Sequence, residues 1–200
     1  MTAFAGAQRV PNRKLDLYIK RDFLTPDECA AIIERIEAKR RPSDLADHLL
    51  DDPAFRTSET CDLSPDDPVV AALDARIAAY AGLDPRHGET MQGQRYAVGQ
   101  EFKFHTDYFE PAGEGYQRYC AVSGQRTWTV MIYLNKPDDG GATRFKAIDK
   151  IVQPETGKLL AWNNLTPDGQ PNPATLHAGM KVRRGVKHII TKWYRERPWG

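Results

Sequence analysis

Residues 127–134 read Thr-Trp-Thr-Val-Met-Ile-Tyr-Leu, and this β-branched and aromatic run predicts a buried β-strand. Residues 135–141, Asn-Lys-Pro-Asp-Asp-Gly-Gly, follow it directly and are typical of a turn. Further short strands, separated by turn residues, are predicted at residues 142–145, 148–153, 158–162, 174–177 and 186–194. Because no helical pattern lies between these strands, they indicate an antiparallel barrel or jelly roll rather than a parallel α/β sheet.

The N-terminal part of the chain carries a helical pattern instead. Thr25, with a proline next and Glu28 three residues on, predicts the start of a helix that ends near Arg40. The segment that begins at Ser64 repeats this start signal, and Gly82 is expected to end the second helix.

These patterns predict an α+β fold that is mainly β, with the helices packed against the strands. A short strand is expected at residues 55–58, between the two helices. The helical part covers about residues 17–82, and the β-barrel covers about residues 91–194. No linker or internal repeat interrupts the chain, so a single domain is expected at residues 1–200.

Composition narrows the class of protein. The 200 residues carry a net charge of +1, so bulk electrostatics does not favour a nucleic-acid partner. No apolar run approaches the roughly 18 to 20 residues that span a bilayer, and no secretory leader is evident, so no membrane partner is expected. Cys29, Cys61 and Cys120 are odd in number and widely spaced, which argues against a disulfide framework or a zinc site. We therefore expect buried thiols and a cytoplasmic location.

The five histidines fall into two groups. His48 and His87 lie in polar, turn-rich stretches and are expected at the surface. The other three, His105, His177 and His188, lie in or at the ends of predicted strands.

His105 and Asp107 form the first candidate metal-binding pair. Side chains two residues apart on an extended chain project to the same side, which suits two adjacent positions on one metal. His177 could supply a third ligand if its strand lies alongside. Two histidines and one carboxylate make the facial triad of non-heme Fe(II) oxygenases. The alternative is a histidine hydrogen-bonded to an acid at the end of a strand.

Lys187 strengthens the oxygenase hypothesis. Alternation places Lys187 on one face of its strand with Ile189, Thr191 and Trp193, while His188 points the other way. A lysine on such a face is expected to be buried and to need a partner. The distal carboxylate of a metal-bound oxo-acid would be one partner, and an acid of the protein would be another. Ten residues after His177, Lys187 is expected to be its neighbour on the returning strand.

A series of segments then resembles the prolyl 4-hydroxylase-like dioxygenases, in the same order. The resemblance covers roughly residues 17–193. The segments that carry it are Phe23-Leu24-Thr25-Pro26-Asp27-Glu28-Cys29, Arg56-Thr57-Ser58, Arg95-Tyr96-Ala97-Val98-Gly99-Gln100, His105-Thr106-Asp107, Arg126, Tyr133-Leu134-Asn135, Gly140-Gly141-Ala142-Thr143-Arg144-Phe145, Thr175-Leu176-His177-Ala178-Gly179 and Lys187.

The resemblance implies a double-stranded β-helix (jelly-roll) core. It also implies Fe(II) as the metal, 2-oxoglutarate and O₂ as co-substrates, and hydroxylation as the reaction, and it admits ascorbate as a reductant. Fe(II) would be held by His105, Asp107 and His177, and 2-oxoglutarate by Lys187, with no catalytic residue beyond the metal centre.

The resemblance assigns further residues to the two ligands. Tyr96, Tyr133 and Thr143 are similar to residues that bind the co-substrate, although plain core packing is the alternative for the tyrosines. Arg126 and Arg56 resemble substrate-side residues, and a surface ion pair is the alternative for each.

The chain departs from the family pattern at three positions. Lys146 stands where proline is common, His188 where an aromatic residue is usual, and Lys158 replaces the usual residue at the start of its strand. These departures leave the substrate open: a prolyl residue in a peptide or protein, or a free amino acid or small metabolite. Residues 56–62 and 108–122 could form a mobile cover for a peptide. From another class, a non-catalytic metal-binding jelly-roll module remains as an alternative.

Overall fold

The structure, a computed structural model, describes residues 3–43, 54–113 and 115–200. Within these ranges the strands form a larger sheet, a smaller sheet and a two-stranded ribbon. In chain order, the strands of the larger sheet are β1 (Gln8–Arg9), β2 (Leu17–Lys20), β3 (Arg41–Pro42), β4 (Glu59–Asp62), β5 (Gln92–Tyr96), β7 (Arg126–Tyr133), β11 (Leu159–Asn163) and β14 (Lys187–Arg195). The smaller sheet contains β6 (Phe102–His105), β9 (Thr143–Phe145), β10 (Lys150–Val152) and β12 (His177–Gly179), and the ribbon pairs β8 (Asp139–Gly140) with β13 (Val182–Arg184).

The strand order explains how distant parts of the sequence meet. The larger sheet runs β1-β2-β11-β7-β14-β5-β4-β3, and the smaller sheet runs β10-β9-β12-β6. The two remain separate sheets across the described residues, so the fold is a jelly roll of the double-stranded β-helix type and not a closed barrel. The N-terminal part supplies four strands of the larger sheet as well as helices.

The larger sheet is buried on both faces. Along β7, Val130 and Ile132 pack into the cluster that contains the helices, whereas Met131 and Tyr133 pack into the cluster that contains the smaller sheet. All nine residues of β14 are buried. A strand covered on both sides gains from apolar residues at every position, which accounts for the unbroken apolar run at residues 127–134.

The first helix, α1, spans Pro26–Lys39 as expected. The Thr25 side chain accepts from the backbone N–H of Glu28, whose carboxylate accepts from the backbone N–H of Thr25, so the predicted capping box is present. Cys29, Ile32 and Ile36 form its buried face.

The second helix, α2, spans Pro68–Ala81 and starts later than predicted. Its N-cap is Asp67, not Ser64, because the Asp67 carboxylate accepts from the N–H groups of Val69 and Val70. Gly82 ends the helix in the left-handed conformation (φ 66°), as its position in the sequence predicts.

Two other expectations about local structure were wrong. Residues 174–177 are not a strand, since Pro173–Thr175 forms a 3₁₀ turn and the strand begins at His177. Residues 55–58 contribute only an isolated bridge from Arg56 to Phe102. The predicted cover at residues 108–122 contains a short helix, α3 (Gly115–Cys120). Another 3₁₀ turn spans Pro85–His87. Of the helices that the structure describes, none is long and apolar enough to cross a membrane.

The contact of α1 with β5 yields a prediction about stability. A Cβ atom on Gly93 would collide with Ile36 Cγ1 and would lie 2.7 Å from Ile36 Cδ1. We expect Gly93→Ala to lower the free energy of unfolding by about 1–3 kcal/mol, because a packed core resists an added methyl group. Urea unfolding measures the change. Ile36→Ala removes the obstacle, so the double variant should lose less stability than the two single losses combined; strict additivity would contradict this packing.

Candidate functional site

A cavity opens between the larger and the smaller sheet. It encloses about 440 Å³ of empty space, including the part that is open to solvent. The larger sheet contributes Tyr96, Lys187 and Thr191 to its wall, and the smaller sheet contributes His105 and His177.

The three predicted metal ligands lie together in this cavity. His105 and His177 are direct partners across the β6–β12 pair, so their rings share one face of the smaller sheet. Asp107 follows β6, and its Oδ1 is 3.8 Å from His105 Nε2, while its Oδ2 is 4.0 Å from His177 Nε2. One donor atom from each residue lies within 4.8 Å of the other two, which is close enough for one metal ion.

The backbone fixes both imidazoles with the same nitrogen facing the cavity. His105 Nδ1 donates to the carbonyl of Lys103 at 2.7 Å, and His177 Nδ1 donates to the carbonyl of Thr175 at 2.8 Å. A carbonyl only accepts, so Nδ1 carries the proton and Nε2 keeps a free lone pair. Burial, together with His177, lowers the pKa of His105 to about 3, which keeps this ring neutral and able to bind a metal at neutral pH.

Asp107 is held in its ionised form. Burial by itself would raise the pKa of Asp107, but the neighbouring His177, His105 and Arg126 outweigh it, and the pKa is lowered. Thr129 Oγ1 donates to Asp107 Oδ2 at 2.7 Å. Two imidazoles and one carboxylate on one side of a cavity leave the other side open, which is the donor set of an Fe(II) facial triad.

Lys187 faces this triad from the opposite sheet. Its side chain is 1% exposed, and its Nζ lies 4.0 Å from the centre of the Tyr96 ring. No described residue accepts a hydrogen bond from Nζ, and burial lowers the pKa of Lys187 to about 7. The expectation that Lys187 neighbours His177 on a returning strand was wrong, because the chain crosses from β12 to the larger sheet, where β14 pairs with β5 and β7.

The residues expected to bind the co-substrate lie around Lys187. Tyr96 lines the cavity, and its hydroxyl donates to Gln94 Oε1 at 2.9 Å. Thr143 lines the wall on the smaller sheet. Tyr133 lies behind it: the Tyr133 hydroxyl is 2.6 Å from Thr143 Oγ1 and donates to the carbonyl of Val152. Tyr133 is therefore in contact with the cavity wall through Thr143.

The two arginines expected on the substrate side occupy different environments. Arg56 lines the cavity, with its guanidinium over the Phe102 ring at 4.9 Å. Arg126 is held by a bidentate ion pair with Glu89, at 2.6 and 2.7 Å, and lies over the Trp193 ring. Glu89 is buried and Arg126 is partly buried, unlike the surface pair that the sequence left open as an alternative for Arg126.

The remaining histidines are also placed, except His48, which lies outside the described residues. His87 is half-buried instead of solvated, since its Nδ1 bonds the carbonyl of Arg195. His188 points away from the cavity, as alternation predicts, and its Nε2 bonds Glu37 of α1 at 2.6 Å. Its burial lowers the pKa of His188, against the opposing effect of Glu37.

The sequence reading missed four buried polar residues near the site. Thr129 shares the inward face of β7 with Met131 and Tyr133, so a small polar side chain beside large buried ones was a usable signal. Gln94 lies two residues before Tyr96, so strand alternation places both side chains on the same face of β5 and could have identified Gln94. Nothing in the local sequence singles out the other two, which are Glu89 and Asn164.

The comparisons with known proteins agree with this geometry. Residues 91–195 match the model of the 2OG-Fe(II) oxygenase superfamily. The chain therefore belongs to the 2-oxoglutarate- and Fe(II)-dependent oxygenases, and it is prolyl 4-hydroxylase-like.

Two relatives support the likeness to prolyl 4-hydroxylases. The chain is 32% identical over 197 residues to a probable prolyl 4-hydroxylase 9 of Arabidopsis thaliana, with 88% of this chain and 67% of that protein covered. It is 38% identical over 132 residues to prolyl 4-hydroxylase subunit alpha-3 of Rattus norvegicus, with 65% of this chain but 24% of that protein covered. The chain thus spans about two thirds of the plant relative and about a quarter of the rat subunit.

A solved structure also resembles this fold closely. The viral collagen prolyl hydroxylase of Paramecium bursaria Chlorella virus-1, solved as a 2OG complex, superposes with a TM-score of 0.71 at 25% identity, covering 90% of this chain and 95% of that one. A Pseudomonas putida prolyl-4-hydroxylase shares the fold, with a TM-score of 0.62 at 20% identity over 90% of this chain and 92% of that one.

The unpaired Lys187 should make stability depend on pH. Between about pH 7 and the ordinary lysine pKa of 10.5, the folded protein binds fewer protons than the unfolded chain. Buried Lys187 therefore lowers the free energy of unfolding by its full amount below pH 7, and by progressively less as the pH rises towards 10.5. Without any ligand, Lys187→Met should therefore raise the free energy of unfolding at pH 6, with a smaller gain at pH 9.

Lys192→Met is the matched control for this prediction, because Lys192 lies on the same strand but is paired with Asp74 at 2.8 Å. Removing Lys192 leaves Asp74 without its partner, so this variant should lose stability at pH 6. Urea unfolding at both pH values compares the two. If Lys187→Met also lost stability at pH 6, Lys187 would have an acidic partner in the protein.

Proposed function

We propose that this protein is an Fe(II)- and 2-oxoglutarate-dependent dioxygenase that hydroxylates a prolyl residue of a peptide or protein, with decarboxylation of 2-oxoglutarate to succinate. One observation carries the proposal: the His105, Asp107 and His177 cluster and the unpaired Lys187 face the same cavity from opposite sheets. A metal site alone would not need a buried lysine that has no hydrogen-bond acceptor among the described residues.

In this proposal the Nε2 atoms of His105 and His177 and the carboxylate of Asp107 hold Fe(II). Bound Fe(II), with 2-oxoglutarate and O₂, supplies the oxidising chemistry that the side chains of the protein lack. The Phe102 ring stacks on the His105 ring with 3.5 Å between the ring centres, and the Trp162 and His177 ring centres are 4.8 Å apart. Aromatic side chains therefore cover one side of each imidazole and exclude water there.

Lys187 binds the distal carboxylate of 2-oxoglutarate. The carboxylate favours the ammonium form of Lys187, so binding above pH 7 should be accompanied by uptake of a proton. The charges of Fe(II), Asp107, Lys187 and the 2-oxoglutarate dianion cancel, which suits a buried site. Tyr96 and Thr143 line the same cavity and are our further candidates for contacts with 2-oxoglutarate, and Tyr133 contacts Thr143.

The choice of a prolyl substrate rests on the names of the relatives and on one residue of the cavity wall. Arg56 offers a cation that the proposed co-substrate contact does not use, and it is suited to a carbonyl or carboxylate of the substrate. Arg126, held by Glu89, is placed less directly for such a contact. The alternative substrate is a free amino acid or small metabolite. Residues 108–122 are our candidate for a cover over a peptide, whereas most of the other predicted cover, residues 56–62, is strand β4 (Glu59–Asp62) of the larger sheet.

Further parts of the proposal concern the setting of the enzyme. We propose that residues 1–200 act as one domain, and that ascorbate serves as reductant. All three cysteines are free and buried, which supports a reducing cytoplasmic location. The net charge of +1 supports a peptide or small-molecule partner over nucleic acid or a membrane surface.

The first test of the proposed function is chelation of 2-oxoglutarate. Metal-free protein mixed with Fe(II) and 2-oxoglutarate without oxygen should develop the weak visible charge-transfer band of the chelate. His177→Ala should abolish the band. Lys187→Ala should require about ten- to a hundredfold more 2-oxoglutarate, because a charged hydrogen bond contributes about 1.5–3 kcal/mol.

Lys192→Met, which changes a lysine on the other face of β14, should leave the chelate band and its 2-oxoglutarate requirement unchanged. Wild-type protein that binds iron but gives no band would refute the dioxygenase assignment and leave a metal-binding jelly-roll module.

The substrate is tested by coupled turnover. Succinate released in the presence of Fe(II), 2-oxoglutarate and O₂ should increase on addition of proline-containing peptides and increase much less with free L-proline. Arg56→Met should lower this peptide-dependent increase while the uncoupled rate stays close to that of the wild type. Stimulation by free L-proline alone would favour the small-molecule alternative.

A further inference from the structure

Two buried side chains stand behind Asp107 in a single chain of hydrogen bonds. Asn164 Nδ2 donates to Thr129 Oγ1 at 2.9 Å, and Thr129 Oγ1 donates to Asp107 Oδ2 at 2.7 Å. Thr129 and Asn164 are both 0% exposed, so water does not compete for either bond. Since the threonine hydroxyl has one proton and already accepts from the amide, that proton goes to Asp107.

The negative charge of Asp107 determines the donor-to-acceptor direction of these two hydrogen bonds. If the Asn164 amide were turned, its Oδ1 would take the Thr129 proton, and two oxygens without a proton between them would then face each other at the Thr129–Asp107 contact. The observed orientation leaves Asn164 Oδ1 without a hydrogen-bond partner among the described residues. An unpaired buried amide oxygen is unfavourable, so the bond to the threonine takes precedence over satisfying the asparagine.

Distance alone does not decide which oxygen of Asp107 would bind a metal. Oδ1 lies 3.8 Å from His105 Nε2, and Oδ2 lies 4.0 Å from His177 Nε2, so both oxygens are near the point where the three ligands converge. The hydrogen bond separates them, because Oδ2 accepts from Thr129 whereas Oδ1 accepts from no side chain that the structure describes.

We propose that Thr129, oriented by Asn164, is a positioning residue that makes Asp107 bind the metal through one oxygen. This inference rests on the proposed function. If Asp107 used both oxygens, it would occupy an additional position on the metal, in competition with the two oxygens of an oxo-acid. Occupying Oδ2 with a hydrogen bond therefore keeps a coordination position available to the co-substrate.

The test compares metal binding with co-substrate binding in Thr129 variants. Co(II) replaces Fe(II), so that the visible spectrum of the metal reports coordination without turnover. Thr129→Val and Thr129→Ala both remove the hydroxyl but differ in size, so an effect they share comes from the lost hydrogen bond. In both, Co(II) affinity should stay within about threefold of the wild type, while 2-oxoglutarate affinity of the Co(II) protein should fall about tenfold or more.

Two further variants separate positioning from general stability. Thr129→Ser keeps the hydroxyl and should restore 2-oxoglutarate affinity to within about threefold of the wild type. Thr127→Val removes a hydroxyl from the same strand that bonds the carbonyl of Tyr194, away from the metal ligands, and should bind both ligands like the wild type. The Co(II) spectrum without 2-oxoglutarate should change in Thr129→Val and Thr129→Ala only.

The outcomes distinguish this inference from the proposed function. Wild-type Co(II) protein that fails to bind 2-oxoglutarate would overturn both. If the wild type binds it, unchanged affinity in Thr129→Val and Thr129→Ala, a parallel loss of Co(II) affinity, or an equal loss in Thr129→Ser would each overturn the role of Thr129 and leave the dioxygenase assignment standing.

Discussion

The pairing of β14 with β7 determines which residues the larger sheet turns towards the site. These two strands run side by side from Ile189 opposite Tyr133 to Trp193 opposite Thr129, at the centre of the larger sheet. Both faces of the pair are covered, so a shift of one residue in register would exchange the cavity wall with the helix-facing core. The register therefore fixes Lys187 and Thr129 on the same side as the metal ligands, which belong to the other sheet.

The parts of the site that could be predicted from the sequence depend on local periodicity. Alternation alone places Lys187 inward and His188 outward, and it places His105 and Asp107 on one side of their strand. The start of α1 was equally predictable, because its capping residues lie within four positions of each other in the sequence. His177 was a candidate third ligand only if its strand lay alongside that of His105, 72 positions earlier, and the family resemblance then implied that the two act together.

What the sequence could not supply is the set of contacts between sheets. The crossing from β12 to β14 turned an expected neighbour of His177 into a residue on the facing wall. Glu89 lies 37 residues from Arg126, in a connecting segment with no strand pattern, and only the folded chain brings their charges together. Such partners depend on how the sheets pack, and a sequence window does not contain that information.

Three buried lysines show that the site departs from the rules followed by the rest of the core. Lys158 lies 2.6 Å from Glu155, and Lys192 lies 2.8 Å from Asp74, so each of these cations is compensated within the protein. Lys187 has no such acid among the described residues and sits against the Tyr96 ring. Native proteins tolerate a local conflict of this kind chiefly where a ligand resolves it.

The orientation of both imidazoles is insensitive to many substitutions nearby. Each ring is fixed by a carbonyl of its own strand or turn two residues earlier, at Lys103 and at Thr175. A backbone carbonyl persists whichever side chain that residue carries, so drift in the neighbouring side chains leaves the two nitrogens aimed at the same point. Residues around the mouth of the cavity can thus be substituted without turning the two imidazoles that we propose as metal ligands.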